Sequence, residues 1–158
     1  INLYSLKLFS NEVYLHMFYI SHRGNISGQN KESENKPEYI KIALEKGFEV
    51  EIDVRFKDSQ FYLGHDFAKY KIESSFLLNE KLWCHAKDIE AMNNLKKIKA
   101  HYFWHQEDDV TLTSKGYFWT YPGKTLTNNS ICVLPEINNI KKIECAGICS
   151  DFIQNYKK

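Results

Sequence analysis

An α/β fold is predicted, a reduced TIM-like βα barrel in which several outer helices have become loops, and three observations carry it. Short apolar runs alternate with amphipathic stretches of helical period, polar residues gather just after successive runs, and the later connections are too short for full helices. A complete eightfold barrel usually takes about 200 residues or more, whereas this chain has 158. At 43% hydrophobic and 15% aromatic it can bury one real core, so a single domain over residues 17–158 is expected. Residues 1–16 are read as an extension, because Met17 stands immediately before the first strand. Removing them is expected to leave folding and activity intact.

The first strand is placed at Phe18 to Arg23, rich in aromatic and β-branched residues and ending at Gly24. Asn25 to Lys36 has almost no apolar side chain and the length of an active-site loop. From Pro37 the positions Tyr39, Ile40, Ala43 and Leu44 recur at helical spacing until Gly47 stops them. Glu49 to Phe56 then alternates, with Val50, Ile52, Val54 and Phe56 on one face and Glu51, Asp53 and Arg55 on the other. A short run, Gln60 to Leu63, leads into Gly64-His65-Asp66.

Leu82 to Lys87 reads as the next strand. A helix follows from Asp88, its N-cap, through Ile98, with Ile89, Met92, Leu95 and Ile98 as the expected buried stripe. Lys96, Lys97 and Lys99 read as a solvated face. Further strands are expected at His101 to His105, Tyr117 to Tyr121, Ile131 to Leu134 and Ala146 to Ser150. Of the residues after them, Glu107, Asp108 and Asp109 read as loop caps, while Glu136 and Asp151 lie where they can close a rim.

Twenty-one basic residues against 20 acidic leave a formal charge of +1, which gives nucleic-acid binding no compositional support. The apolar run Val13 to Ile20 is too short to span a bilayer, and no membrane insertion is expected. Cys84, Cys132, Cys145 and Cys149 sit in or beside apolar runs without a CxxC pair, as buried thiols of a reducing, cytoplasmic compartment would. A zinc site on Cys145 and Cys149 would need further ligands close by.

The chemistry gathers in four short motifs: Ser21-His22-Arg23-Gly24, Glu34-Asn35, Glu51-Ile52-Asp53 and Gly64-His65-Asp66. Glu51 and Asp53 project from one strand face and can bind one divalent cation together. On pattern alone they equally suit a solvated strand face, and the histidine motifs shift the reading toward a site. His22 and His65, arriving from different segments, can flank a phosphodiester and divide acid and base roles. Arg23 and Lys87 supply cations for the phosphate.

In this order and strand context the motifs resemble the glycerophosphodiester phosphodiesterase family, within the phospholipase C-like phosphodiesterases. The likeness is close over Ser21 to Asp66 and thins beyond Leu82 to strand placement and a final strand ending in Asp151. The resemblance implies His22 and His65 as the acid/base pair and Arg23 as a phosphate clamp. It makes Glu51 and Asp53 metal ligands, with Glu34, Asn35, Asp66 and Asp151 in a supporting shell. Where the family carries a carboxylate two residues before a lysine, this chain has His85-Ala86-Lys87. An imidazole ligand there extends the expected metal from Mg or Ca to Mn or Zn.

The implied activity is cleavage of a small glycerophosphodiester-like or sugar-linked phosphodiester. The nucleophile is either a neighbouring substrate hydroxyl, giving a cyclic phosphate, or water. Two alternatives stay open, a metal-independent lyase using His22, His65 and Arg23, and a phosphate-binding module without turnover. His85 and Lys87 also suit a hydrogen-bonded core histidine beside a snorkelling lysine. His101 reads as packing and His105 as a possible pocket residue, while Trp104, Trp119 and Tyr121 suit either core or an aromatic wall.

Overall fold

The computed structural model describes residues 17–140 and 143–157; the expected extension over 1–16 lies outside them. Helix α1 (Pro37–Glu45) begins on the proline, which needs no N–H partner, and buries Ile40 and Ala43. Helix α2 (Ile89–Lys97) is capped by Asp88, whose carboxylate accepts from the Ala91 N–H at 2.7 Å and from the Phe56 N–H at 3.2 Å. That second bond ties the helix start to the preceding sheet. The buried stripe of α2 differs from the expected one. Ala91 and Leu95 are its buried residues, whereas Ile89 in the first turn is 67% exposed.

The strands are β1 (Phe18–His22), β2 (Glu49–Lys57), β3 (Gln60–Leu63), β4 (Tyr70–Ile72), β5 (Leu82–Ala86), β6 (Tyr102–Trp104), β7 (Val110–Leu112), β8 (Phe118–Thr120), β9 (Ser130–Val133) and β10 (Gly147–Ser150). They form one mixed sheet. Its longest path runs β4-β3-β2-β1-β10-β9-β8-β7, and β5, which carries β6, also pairs with β2. The expected parallel order therefore holds from β6 through β5, β2, β1, β10 and β9 to β8.

Two features correct the barrel expectation. First, β3, β4 and β7 run antiparallel to their neighbours. The β2–β3 link is a two-residue turn, Asp58-Ser59, with positive φ at both positions. Second, the sheet curls strongly into a half-barrel and does not close. Among the described residues no ladder joins β6 to β8, each only three residues long. Stacked rings span that gap, Phe103 on Trp119 at 4.5 Å between centroids. Beside it, the Ser114 N–H donates to the Tyr102 carbonyl at 2.8 Å.

Two cores result. Outside the curl, Val50, Ile52 and Val54 pack with Ile40 and Ala43 of α1 and Ala91 and Leu95 of α2. Inside it, Ile20, Trp83, Phe103, Trp119, Ile131 and Cys149 fill the lower half. The strand alternation thus turns aliphatic side chains to the helices and aromatic, then ionisable, ones into the curl. Among the described residues two α-helices cover the outer face, and the connections after β6 and β9 show none, as expected for a reduced barrel. No helix among the described residues is long and apolar enough to cross a membrane.

Cys84, Cys132 and Cys149 are buried, Cys145 partly so, and none is in a disulfide. His101 is structural, as expected, its ring 4.3 Å from that of Trp83. Burial, reinforced by the Lys115 charge, pushes its imidazole down to about 3. Its folded value lies below the unfolded one, so the contribution is fully present above about pH 6.5 and is lost as pH falls toward 3. Replacing His101 with Phe is expected to flatten the urea-unfolding stability profile between neutral pH and pH 5 by about 1–2 kcal/mol relative to the parent. Parallel profiles would show that His101 is not buried in its neutral form.

Candidate functional site

The carboxyl ends of the parallel strands bring His22, Arg23, Glu51, His85 and Lys87 to one cavity of about 550 Å³, and the loop after β3 adds His65. This gathers the sequence-predicted catalytic and phosphate-binding residues and two of the three metal ligands. Asp53 lies just behind them, fully buried. The pairing register sets Asp53 beside His85 and Glu51 beside Trp83 on β5.

Glu51 and Asp53, 1% and 0% exposed, are not a solvated strand face. Carboxylates this deep require compensation. For Asp53 it comes from several sides. Arg23 Nε lies 2.9 Å from Oδ2, off the line of a good hydrogen bond, and the Asn35 amide donates to the same oxygen at 2.9 Å. The Asn35 Oδ1 accepts the Asp53 backbone N–H at 2.9 Å. Lys87 Nζ stands 3.8 Å from Oδ1. Burial works against ionisation, but Arg23, His85, Lys87 and the Asn35 bond outweigh it and hold the Asp53 carboxyl below its ordinary range.

Each of these two carboxylates keeps a buried oxygen without a hydrogen bond, Asp53 Oδ1 and Glu51 Oε2. His85 Nδ1 lies 3.5 Å from Asp53 Oδ1 and 3.5 Å from Glu51 Oε1. Its Nε2 is 2.8 Å from the His105 carbonyl, which can only accept, so Nε2 carries the proton. Nδ1 then faces two carboxylates, which either a proton on it or a metal ion among the three residues would satisfy. Ligand atoms of the three residues lie within 4.8 Å of one another, and Glu51, Asp53 and His85 can hold a metal ion. The donor set therefore fits a metal ion.

His22 is held from behind. Its Nδ1 is 2.7 Å from Asp151 Oδ1, while Nε2 points toward Glu51 Oε2 at 3.9 Å. Burial lowers the His22 pKa, but the Asp151 bond and the Glu51 charge outweigh it, and the net shift is upward. His65 Nδ1 pairs with Asp66 Oδ1 at 2.7 Å on an open wall, with side-chain exposures of 42% and 82%. Arg23 reaches Glu34 at 3.3 Å. Glu34, Asn35, Asp66 and Asp151 thus bond to Arg23, Asp53, His65 and His22 respectively.

Backbone strain clusters here. Arg23, Asn35 and Leu134 all have positive φ, uncommon for residues with side chains. Gly24, at φ +92, has no room for a Cβ, which would lie 2.7 Å from the Tyr39 ring.

One contributor, Asn25, was not singled out by the sequence reading. Buried Asn25 donates to Asp151 Oδ1 at 2.8 Å and to Glu34 Oε1 at 3.0 Å, coupling the histidine support to the arginine support. It looked like one polar loop residue among many. Glu136 does not close the rim; it lies beneath Asp151, accepting from the Asp151 N–H at 2.9 Å and the Ser150 hydroxyl at 3.0 Å. His105, Trp119 and Tyr121 line the cavity, while Trp104 packs on the outer core. Asp109 pairs with Lys124, and Cys145 donates to the Gly147 carbonyl.

Replacing Asn25 with Ala leaves Asp151 and Glu34 short of a buried donor and is expected to cost about 1–3 kcal/mol in chemical unfolding. A change under about 0.5 kcal/mol, the range of neutral surface substitutions, would show that the coupling carries no weight. Comparison with protein-family models, with curated protein sequences and with solved structures finds no match for this chain.

Proposed function

We propose that the protein is a metal-dependent phosphoric diester hydrolase acting on small glycerophosphodiester-like or sugar-linked phosphodiesters. The observation that carries this reading is the convergence of two histidine–carboxylate pairs, His22–Asp151 and His65–Asp66, on the cavity that Glu51 and His85 also line. Each histidine has Nδ1 bonded to a carboxylate, so each offers Nε2 for proton transfer. One takes the proton of the attacking hydroxyl and the other protonates the departing alkoxide oxygen. Arg23 and Lys87 draw the phosphate oxygens toward the floor. Glu51, Asp53 and His85 would hold a divalent cation, which would supply polarisation of the phosphate oxygens and neutralise developing charge. Two carboxylates suit Mg or Ca, and the imidazole brings Mn and Zn into range.

A metal-independent lyase reading has one observation in its favour. Arg23 and Lys87 already face Asp53, and a protonated His85 would satisfy both carboxylates. Chelation separates the two. Metal-stripped protein is expected to be inactive on bis(p-nitrophenyl) phosphate and glycerophosphodiesters until a divalent ion is restored; full activity after stripping would favour the lyase.

His22→Ala and His65→Ala are expected to lower turnover by about 100-fold or more, the scale of acid–base catalysis, while metal affinity is largely kept. Glu51→Ala combined with Asp53→Ala should instead abolish metal binding measured by calorimetry. Equal metal loss in both sets would contradict this division of roles. Binding of phosphate without turnover under any ion would favour a binding module.

A further inference from the structure

A second cavity, of about 440 Å³, opens beside the first. Arg23 and His65 form the wall the two share, and no other lining residue is common to both. Away from that wall the cavities differ in chemistry. The first is closed by Trp119, Tyr121, Pro122, Leu134 and Ile137. The second presents Gln29, Lys31 and Lys69, with Phe67 beside them.

The charges facing the second cavity are not equally committed. Arg23 is engaged by Asp53 and Glu34, and Asp66 by His65. Lys31 and Lys69 form no ion pair among the described residues; Lys69 only approaches the Tyr70 ring at 5.0 Å. The uncommitted charge is therefore positive on both sides of the opening.

Both walls are built, not merely adjacent. Gly64 has φ +144, and a Cβ there would meet the Phe67 carbonyl oxygen at 2.2 Å, so the loop to Lys69 folds back as only glycine permits. Arg55 donates to the Gly64 carbonyl at 3.1 Å and to the His65 carbonyl, and the Lys69 N–H donates to the Leu63 carbonyl at 3.0 Å. Opposite, the Asn25 side chain accepts the Asn30 N–H at 3.0 Å and the Asn30 carbonyl accepts the Glu34 N–H at 2.9 Å, fixing the loop that carries Lys31.

We infer that the second cavity is a subsite for an anionic group, phosphate or carboxylate, carried on one ester arm of the substrate and held by Lys31 and Lys69. This rests on the phosphodiesterase reading above and narrows its substrate class. A phosphodiester seated at Arg23 and His65 has two ester arms, and the shared wall directs one into each cavity. The arm in the first meets aromatic and aliphatic surface. The arm in the second is a polar one that ends in a second negative charge.

Calorimetry on the full chain with Mg present, comparing glycerol monophosphate with glycerol bisphosphate, tests the subsite without requiring turnover. The bisphosphate is expected to bind about tenfold tighter or more, the scale of one to two charged hydrogen bonds. In the double variant Lys31→Ala, Lys69→Ala the ratio should fall below about threefold, the loss of most of that charge-assisted term. A ratio near one in the parent protein, or one unchanged in the variant, overturns the subsite. Should the monophosphate bind in an Arg23-dependent way while the ratio stays near one, the subsite alone fails. Failure of both ligands to bind overturns the phosphodiesterase reading with it.

Discussion

Two carboxylates sharing one face of β2 inside the curl are the constraint on which the rest of the site depends. Glu51 and Asp53 are almost wholly withdrawn from water, and a buried carboxylate without partners costs several kcal/mol. The polar architecture around them answers that cost. Arg23 takes a left-handed backbone conformation at the end of β1, with Gly24 following it against Tyr39. Asn35 takes another, and binds Asp53 through both its side-chain amide and its carbonyl oxygen. These departures from easy backbone geometry cluster where charge must be neutralised, as stored strain at functional sites does.

The aromatic layer below makes this arrangement possible. Trp83, Phe103 and Trp119 fill the lower curl and exclude water from beneath the carboxylates. The same rings span the opening between β6 and β8, where the strands are too short to pair. One set of side chains thus supplies both the missing closure and a low-dielectric floor, in which a charge pair interacts more strongly than it would in water. A full ring of outer helices is not needed to place the strand ends together.

Behind the first cavity, support runs through residues that do not line it. Glu136 holds the backbone of Asp151, Asp151 holds His22, and Asn25 joins Asp151 to Glu34, which holds Arg23. His22 and Arg23 are therefore positioned by one connected network. His65 stands apart on a tightly folded exposed loop, its carbonyl held by Arg55. One wall of the site is deep and hydrogen-bonded, and the other, at His65 and Asp66, is open to solvent.

What the sequence determined by itself was local. The proline-initiated α1, the Asp88 cap of α2 and the alternation of β2 are readable because propensity, capping and period act within a few residues. Also readable were the positions of His22 and Arg23 at the end of β1, of His65 just after β3, and of Glu51 on the polar face of the alternating β2. Tertiary structure alone decided the rest. The Asp58-Ser59 turn lacks the glycine that usually announces such a hairpin, so β3 and β4 were not legible as antiparallel strands. Exposure of Ile89 follows from where α2 meets the sheet, not from its own period. Neither the open edge between β6 and β8 nor the roles of Asn25 and Glu136 can be read locally, because each depends on contacts between segments far apart in the chain. Burial of Glu51 and Asp53 is of the same kind: alternation puts them on one face, and only the curl of the sheet makes that face an interior.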